Sequence, residues 1–295
     1  MSVELLVDAQ ARLGECVLWC DLTGSLYWTD IEGATLSRWQ AADGRLSRWT
    51  LPERVGSFAL CRQPSQLLLG LASGIALFDL EREALTPIVP IEAEHATTRI
   101  NDGRCDAQGR FVFGMFNQAS NAAPIGHFYR VNADLAVERL ALPPAAVANS
   151  IAFSPDGSLL YYADSPTREI HCCDYHADGR IGTPRLFARL SASEGYPDGS
   201  TVDAEGGLWN ARWQGHCVAR YDSTGAQTAR IAVPASQPTC VAFGGLLLDR
   251  LFITSARIGL DAETLRSEPN AGGVFAVYPG WRGLPEHRFA TYHRA

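Results

Sequence analysis

Short apolar segments rich in aromatic residues alternate with polar turn signals along most of the chain. Four of these segments read SLYWTDI, RFVFGMF, SLLYYAD and GLWNARW, and their content of Tyr, Trp, Phe and Val is typical of β-strands. Turn motifs with Asp or Ser first and Gly fourth recur beside them: DLTG, DAQG, SPDG, DAEG and DSTG. This arrangement favours a type I turn with a glycine bulge, a common hairpin connection. Long helical periodicity is nearly absent, so the pattern predicts an all-β fold.

The pattern of strands and turns repeats six times. The repeats open at positions 15, 56, 101, 149, 198 and 239, so successive units are 41 to 49 residues long. Periods of about 40 to 50 residues with several short strands each are the signature of β-propeller blades. The sequence therefore predicts a single domain over residues 1–295, a six-bladed β-propeller with four-stranded antiparallel blades. The N-terminal segment VELLVDA is predicted to pair with the last blade and close the ring.

Polar residues with a side-chain oxygen open four of the repeats, namely Glu15, Asn101, Asn149 and Asp198. The inner strand of every propeller blade runs along the central axis in the same direction, so these side chains are expected to converge at one mouth of the channel. Carboxylate and amide oxygens suit one hard or borderline divalent cation such as Ca²⁺, Mg²⁺, Mn²⁺ or Zn²⁺. The alternative is that each opening residue only caps a local turn.

The composition is that of an ordinary globular protein, with 46% hydrophobic and 19% charged residues. A net charge of −7 and the lack of a basic run argue against a nucleic-acid partner. The chain begins without a basic or long apolar leader, and it contains no uncharged apolar run of about 18 residues. We therefore expect a cytoplasmic protein without a membrane partner, and nothing in the sequence implies a protein partner.

Several other residues have a structural and a functional interpretation. The eight cysteines include no C-x-x-C pair and are predicted to be reduced, buried thiols. His216 is predicted to be a surface or inter-strand residue, and Asp30 and Asp164 are predicted to be hydrogen-bonding turn residues at the ends of second strands. Trp213 is expected either to wall the pocket or to pack between blades. The absence of G-x-S-x-G, H-E-x-x-H and a glycine-rich phosphate loop disfavours serine-hydrolase, zincin and nucleotide chemistry.

Five segments in order also resemble the senescence marker protein/gluconolactonase/luciferin-regenerating enzyme-like family. They are LGECVLW with LYWTDIEGATLSRW, RINDGRCDAQGRFVFGMF, NSIAFSPDGSLLYYADS, YPDGSTVDAEGGLWNARW and QPTCVAFGGLLLDRLFITSA, and together they span nearly the whole chain. The resemblance implies a six-bladed propeller that hydrolyses sugar lactones with one divalent metal. It further implies that Glu15, Asn149 and Asp198 hold the metal, that Asp198 is also the acid/base, and that Arg99 and Asn101 hold the sugar.

One segment departs from the family pattern. Some members place an acidic residue after the second strand of the third blade to hold the substrate, whereas this chain reads GMFNQAS, with Asn117 or Gln118 as the possible substitute. The segments WTDIEG and ARW resemble the bacterial enzymes of pentose and hexose oxidation, so galactono-, arabinono-, xylono- and gluconolactone are the candidate substrates. Two alternatives stay open: a metal-dependent aryl ester or phosphotriester hydrolase, and a non-catalytic calcium-binding propeller.

Overall fold

The first strand of the chain belongs to the last blade of the fold. The computed structural model describes residues 2–290, in which 24 strands form six four-stranded sheets, with one short helix and two 3-10 turns. Strand β1 (Glu4–Val7) precedes the first complete blade, which consists of β2 (Gly14–Cys20), β3 (Ser25–Asp30), β4 (Thr35–Gln40) and β5 (Leu46–Thr50).

The next four blades are each built from four strands consecutive in the chain. The second blade is β6 (Val55–Leu60), β7 (Gln66–Leu71), β8 (Gly74–Asp79) and β9 (Ala84–Pro90). The third is β10 (Thr98–Cys105), β11 (Phe111–Asn117), β12 (Phe128–Val131) and β13 (Val137–Arg139). The fourth is β14 (Ala148–Phe153), β15 (Leu159–Asp164), β16 (Glu169–Asp174) and β17 (Arg185–Arg189), and the fifth is β18 (Tyr196–Val202), β19 (Leu208–Trp213), β20 (Cys217–Tyr221) and β21 (Gln227–Ala232).

The sixth blade joins the two ends of the described chain. It contains β22 (Pro238–Gly244), β23 (Arg250–Ser255), β24 (Val274–Val277) and, on its outer edge, β1; helix α1 (Ala262–Ser267) lies in the connection before β24. Strand β1 pairs with β24 in antiparallel register, with Glu4 opposite Ala276 and Leu5 opposite Phe275. The six-bladed all-β fold and its closure by VELLVDA are thus confirmed. The single-domain prediction for residues 1–295 includes Met1 and positions 291–295, which lie outside the described residues, and it stays a prediction.

Every inner strand is irregular close to the residue that opens it. In all six blades the pairing between the first and second strands shifts register there, for example between Glu15 and Leu18 and between Asn149 and Ala152. The residues that follow Glu15 and Asn149 adopt left-handed backbone conformations, with φ of 48° at Cys16 and 60° at Ser150. Such bulges turn a side chain away from the direction that regular strand alternation gives it. They therefore determine the direction in which the side chains of the opening residues point.

The core lies mainly between neighbouring blades. One cluster joins the first two blades through side chains such as Leu18, Tyr27 and Phe58, and comparable clusters fill the other blade interfaces. All eight cysteines are buried free thiols, as predicted. No helix within residues 2–290 has the length and apolarity needed to cross a membrane.

The chain after β24 crosses the face of the propeller opposite the start of the inner strands. Phe289, fully buried, donates its backbone N–H to Leu60, and Ala290 donates to Gly109. Glu286 forms an ion pair with Arg104 on inner strand β10. The tail is therefore bound to the ends of the inner strands at this face. The opposite face, where the inner strands begin, is here called the upper face.

Candidate active site

A cavity of about 440 Å³ opens at the upper face, where the inner strands begin. The structure brings together in its wall the five residues that were predicted from repeat phase and family resemblance: Glu15, Arg99, Asn101, Asn149 and Asp198. They come from the first, third, fourth and fifth blades. A concave pocket with a few convergent polar groups is the usual form of a small-molecule site.

Glu15 and Asp198 form a pair of enclosed carboxyl groups within hydrogen-bonding range of each other. Burial, followed by the negative charge of Asp102, raises the pKa of Glu15 to about 8. Burial, followed by the charge of Glu15, raises the pKa of Asp198 well above its ordinary value. Two carboxylates in one enclosed site repel each other, so the metal-free pair retains protons that isolated carboxyl groups would lose.

Asp102, which the sequence analysis did not select, lies on the inner strand beside this pair. Its carboxylate accepts the backbone N–H of Gly103 at 2.8 Å and that of Ile151, in the next blade, at 2.8 Å. Burial raises the pKa of Asp102. Asp102 therefore joins two blades and adds negative potential next to Glu15 and Asp198.

A chain of hydrogen bonds with one direction fixes the two amide side chains. Arg99 Nη1 donates to Asn101 Oδ1 at 2.8 Å, and Asn101 Nδ2 donates to Asn149 Oδ1 at 3.1 Å. Asn149 Nδ2 then donates to Ser165 Oγ at 2.8 Å, and that hydroxyl donates to the Pro197 carbonyl at 2.7 Å. Because the single hydroxyl proton of Ser165 is used by Pro197, Ser165 must accept from Asn149. The orientation of the Asn149 amide is thereby set, with its oxygen directed away from Ser165.

Arg99 is held rigidly in the cavity wall. Only 2% of the residue is exposed, its guanidinium lies 4.8 Å from the centre of the Phe116 ring, and its Nη1 also donates to the Ile100 carbonyl at 2.9 Å. Its Nε–H has no hydrogen-bond partner among the described residues. Burial lowers the pKa of Arg99 to about 10, so the group remains cationic at neutral pH.

Asn117 and Gln118 are not among the residues that line the cavity, and substrate contact by either of them stays a prediction. Asn117 is 1% exposed; its Oδ1 accepts from Thr97 at 2.8 Å and its Nδ2 donates to the Ala123 carbonyl at 2.9 Å. Its amide thus stabilises the loop after β11. Gln118 is exposed and accepts a hydrogen bond from Arg54 at 2.6 Å.

Trp213 lines the cavity, and His216 is exposed on the surface, as predicted. Asp30 accepts the backbone N–H groups of Arg12 and Leu13 at 3.0 and 2.9 Å, and Asp164 accepts those of Ala146 and Val147 at 3.1 and 2.9 Å. Both aspartates therefore have the hydrogen-bonding function that was predicted, because each fixes the segment that leads into the inner strand of its own blade.

The cavity wall also contains residues that no sequence signal had selected, among them Glu32, Phe116, Ser165 and Tyr196. Three of them follow or end a second strand, at the same face of the molecule as the opening residues. These three residues, Glu32, Phe116 and Ser165, could have been found in the sequence because they occupy similar positions at the ends of second strands in different blades.

The residues at the cavity floor fit a divalent cation. Among residues 2–290 no group of three or more His, Cys, Asp or Glu side chains is arranged to hold a metal, but the predicted set consists of two carboxylates and one amide. A bound cation would relieve the repulsion between the two enclosed carboxylates, whose pKa values are raised. The Asn149 side chain is fixed because its Nδ2 donates to Ser165, which sets the position of its oxygen. All three donors are oxygens, as hard cations prefer.

Comparison with known proteins identifies relatives that match this chain over nearly its whole length. The profile of the SMP-30/Gluconolactonase/LRE-like region matches residues 13–257. An L-arabinolactonase of Azospirillum brasilense is 52% identical over 97% of this chain and 95% of its own. A 6-deoxy-6-sulfogluconolactonase of Pseudomonas putida is 36% identical over 98% of this chain and 99% of its own.

A crystal structure with the same architecture comes from Agrobacterium tumefaciens. This calcium-binding protein, a regucalcin, superposes with a TM-score of 0.92 at 30% identity, over 98% of this chain and 97% of that one. The profile match covers most of the chain, and the two lactonases are related to it over nearly their whole length. The chain is a member of the SMP-30/gluconolactonase/LRE-like family.

Proposed function

We propose that the protein hydrolyses a sugar aldonolactone to the open-chain aldonic acid, with L-arabinonolactone as the first candidate substrate. The observation that carries the proposal is the convergence of Glu15, Asn149 and Asp198 with Arg99 and Asn101 in one cavity. The 52% identity with an L-arabinolactonase supports it and favours arabinonolactone over the other three candidates.

Glu15, Asn149 and Asp198 would hold one divalent cation, Ca²⁺, Mg²⁺, Mn²⁺ or Zn²⁺. When bound, such an ion supplies a Lewis acid that polarises the lactone carbonyl and acidifies water. The neutral Asn149 limits the negative charge of the set to two carboxylates, which preserves that electrophilic character.

Asp198 would act as the acid/base in the same reaction. A water molecule attacks the carbonyl carbon, and Asp198 accepts its proton as the new C–O bond forms. The bond from that carbon to the ring oxygen then breaks, and Asp198 returns the proton to the departing oxygen. A carboxylate beside the attacking water can serve both proton transfers.

Arg99 and Asn101 would orient the sugar. The Arg99 guanidinium is anchored through Nη1 on Asn101 and by the Phe116 ring, so its other N–H groups can bind hydroxyl or carbonyl oxygens at little entropic cost. A polar, fixed pair of this kind favours a hydroxylated lactone over an apolar aryl ester.

The test is hydrolysis followed at constant pH with metal-stripped protein. Arabinono-, galactono-, xylono- and gluconolactone are each offered with Ca²⁺, Mg²⁺, Mn²⁺ or Zn²⁺ added back singly, beside an aryl acetate and a phosphotriester. We expect turnover of at least one lactone that is restored by a cation and exceeds turnover of both other esters. Faster hydrolysis of the aryl acetate or phosphotriester, or no hydrolysis with any ion, would contradict the proposal. The cytoplasmic location stays a prediction.

A further inference from the structure

Glu32 places a carboxylate in the cavity wall that the proposed reaction does not use. The residue lies in the turn between β3 and β4. Because β2 and β3 are antiparallel, this turn lies at the same face as the start of β2, where Glu15 is found. Glu32 therefore lines the cavity on the side of the first blade, the blade that also carries Glu15.

Arg54 holds the Glu32 carboxylate in place from behind. Its Nη1 donates to Glu32 Oε1 at 3.1 Å and to Gln118 Oε1 at 2.6 Å. The Glu32 side chain is 22% exposed and that of Arg54 is 34% exposed. Arg54 is not among the residues that line the part of the cavity formed by residues 2–290, so the Glu32 carboxylate is paired with a cation that lies outside the cavity wall.

The cavity wall contains more acidic than basic residues. They are three acids, Glu15, Glu32 and Asp198, and one base, Arg99. A cation bound by Glu15 and Asp198 would offset their two charges. Glu32 is then the acid of the wall whose counter-charge, Arg54, lies outside the wall. A partly enclosed carboxylate accepts hydrogen bonds from hydroxyl groups and repels anions.

We propose that Glu32 is a specificity-determining residue that selects neutral aldonolactones over lactones with an anionic terminal group, and that Arg54 sets the strength of this selection. The inference rests on the proposed lactonase function and names the substrate class for that site. A neutral lactone donates a terminal hydroxyl to Glu32, whereas a terminal carboxylate, sulfonate or phosphate meets a like charge there.

The experiment compares kcat/KM for matched lactones that differ only at the end of the chain. Galactono- and galactaro-1,4-lactone carry a hydroxymethyl group and a carboxylate, respectively, at that position. The wild type is measured beside Glu32→Gln, Arg54→Gln and, as a matched control, Glu81→Gln, an exposed acid in the β8–β9 turn at the opposite face.

We expect the ratio of anionic to neutral kcat/KM to rise about tenfold in Glu32→Gln, the change expected from removing a unit charge near the ligand in a partly exposed site. The ratio should fall in Arg54→Gln, because Glu32 then loses its counter-charge, and stay constant in Glu81→Gln. An unchanged ratio in Glu32→Gln, with neutral lactone still hydrolysed, would overturn this inference and leave the lactonase proposal intact. No hydrolysis of any neutral lactone by the wild type would overturn both.

Discussion

The carboxyl groups of Glu15 and Asp198 lie within hydrogen-bonding range of each other although they open the inner strands of the first and fifth blades. The ring has six blades, so these strands are not neighbours, and the two side chains meet near the axis. The pair therefore depends on how the blades are arranged around the axis, since Glu15 and Asp198 come from blades that are far apart in the sequence.

Replacement of Asp198 by Asn should separate its two proposed functions. The amide keeps an oxygen for the cation but cannot take a proton at neutral pH, so kcat should fall about 10²- to 10⁴-fold while a divalent ion still binds. Turnover is measured at constant pH and binding by calorimetry. Near-normal turnover with the ion bound would contradict the assignment of Asp198 as base.

Replacement of Ser165 by Ala should weaken the metal site through Asn149. Loss of the hydroxyl removes the partner of Asn149 Nδ2, so the amide is free to reorient. We expect affinity for the activating ion to fall about tenfold or more, as for other groups that orient metal ligands. Ser255→Ala is the control, since that buried hydroxyl donates to the Gly273 carbonyl and Ser255 does not line the part of the cavity that residues 2–290 form. Equal affinities in the two variants would contradict the prediction.

The stability of metal-stripped protein should fall as the pH rises through the neutral range. Burial and the charge of Asp102 raise the pKa of Glu15 from 4.5 to about 8, so over this range the folded state binds more protons than the unfolded state. The resulting stability is fully present below pH 4.5 and is lost as the pH rises toward 8. The slope is at most about 1.4 kcal/mol per pH unit for one proton.

Urea unfolding of the stripped protein between pH 5 and 8 measures this effect, and added cation should oppose it most at the upper end. In Glu15→Gln the slope should be smaller. A free energy of unfolding that does not change with pH would contradict the prediction.

Replacement of Phe289 by Ala should destabilise the protein by about 3–5 kcal/mol, because the side chain is fully buried against the core of the second and third blades. Leu284→Ala, in the same tail but 40% exposed, should cost less than about 1 kcal/mol. Both are measured by urea unfolding. A small effect at Phe289 would show that the tail does not contribute to the fold as described.

The fold could be predicted from the sequence because every blade has the same four-stranded arrangement and therefore the same local requirements. Each needs a tight turn and an inner strand that starts at the same face, so the period appears six times, and the glycine turn motif appears in four of the blades. The phase of the repeat located Glu15, Asn101, Asn149 and Asp198, since equal positions in different blades meet at the axis.

The phase of the sequence repeat predicts where a residue lies in the ring, but it does not predict what the residue does. Gly56 and Thr239 also open repeats, yet a side chain at Gly56 would collide with the Ile100 carbonyl, and the Thr239 hydroxyl donates to the Gly14 carbonyl. Both positions serve contact between blades. Ser165 and Glu32 were missed because the repeat phase was applied only to the residues that open the inner strands, whereas both residues follow the end of a second strand.

The cavity at the upper face holds the proposed metal ligands and the residues proposed to orient the sugar in one space. An aldonate formed there occupies the place in which the next lactone would bind. Product and substrate therefore exclude each other, and added aldonate should raise KM without lowering kcat.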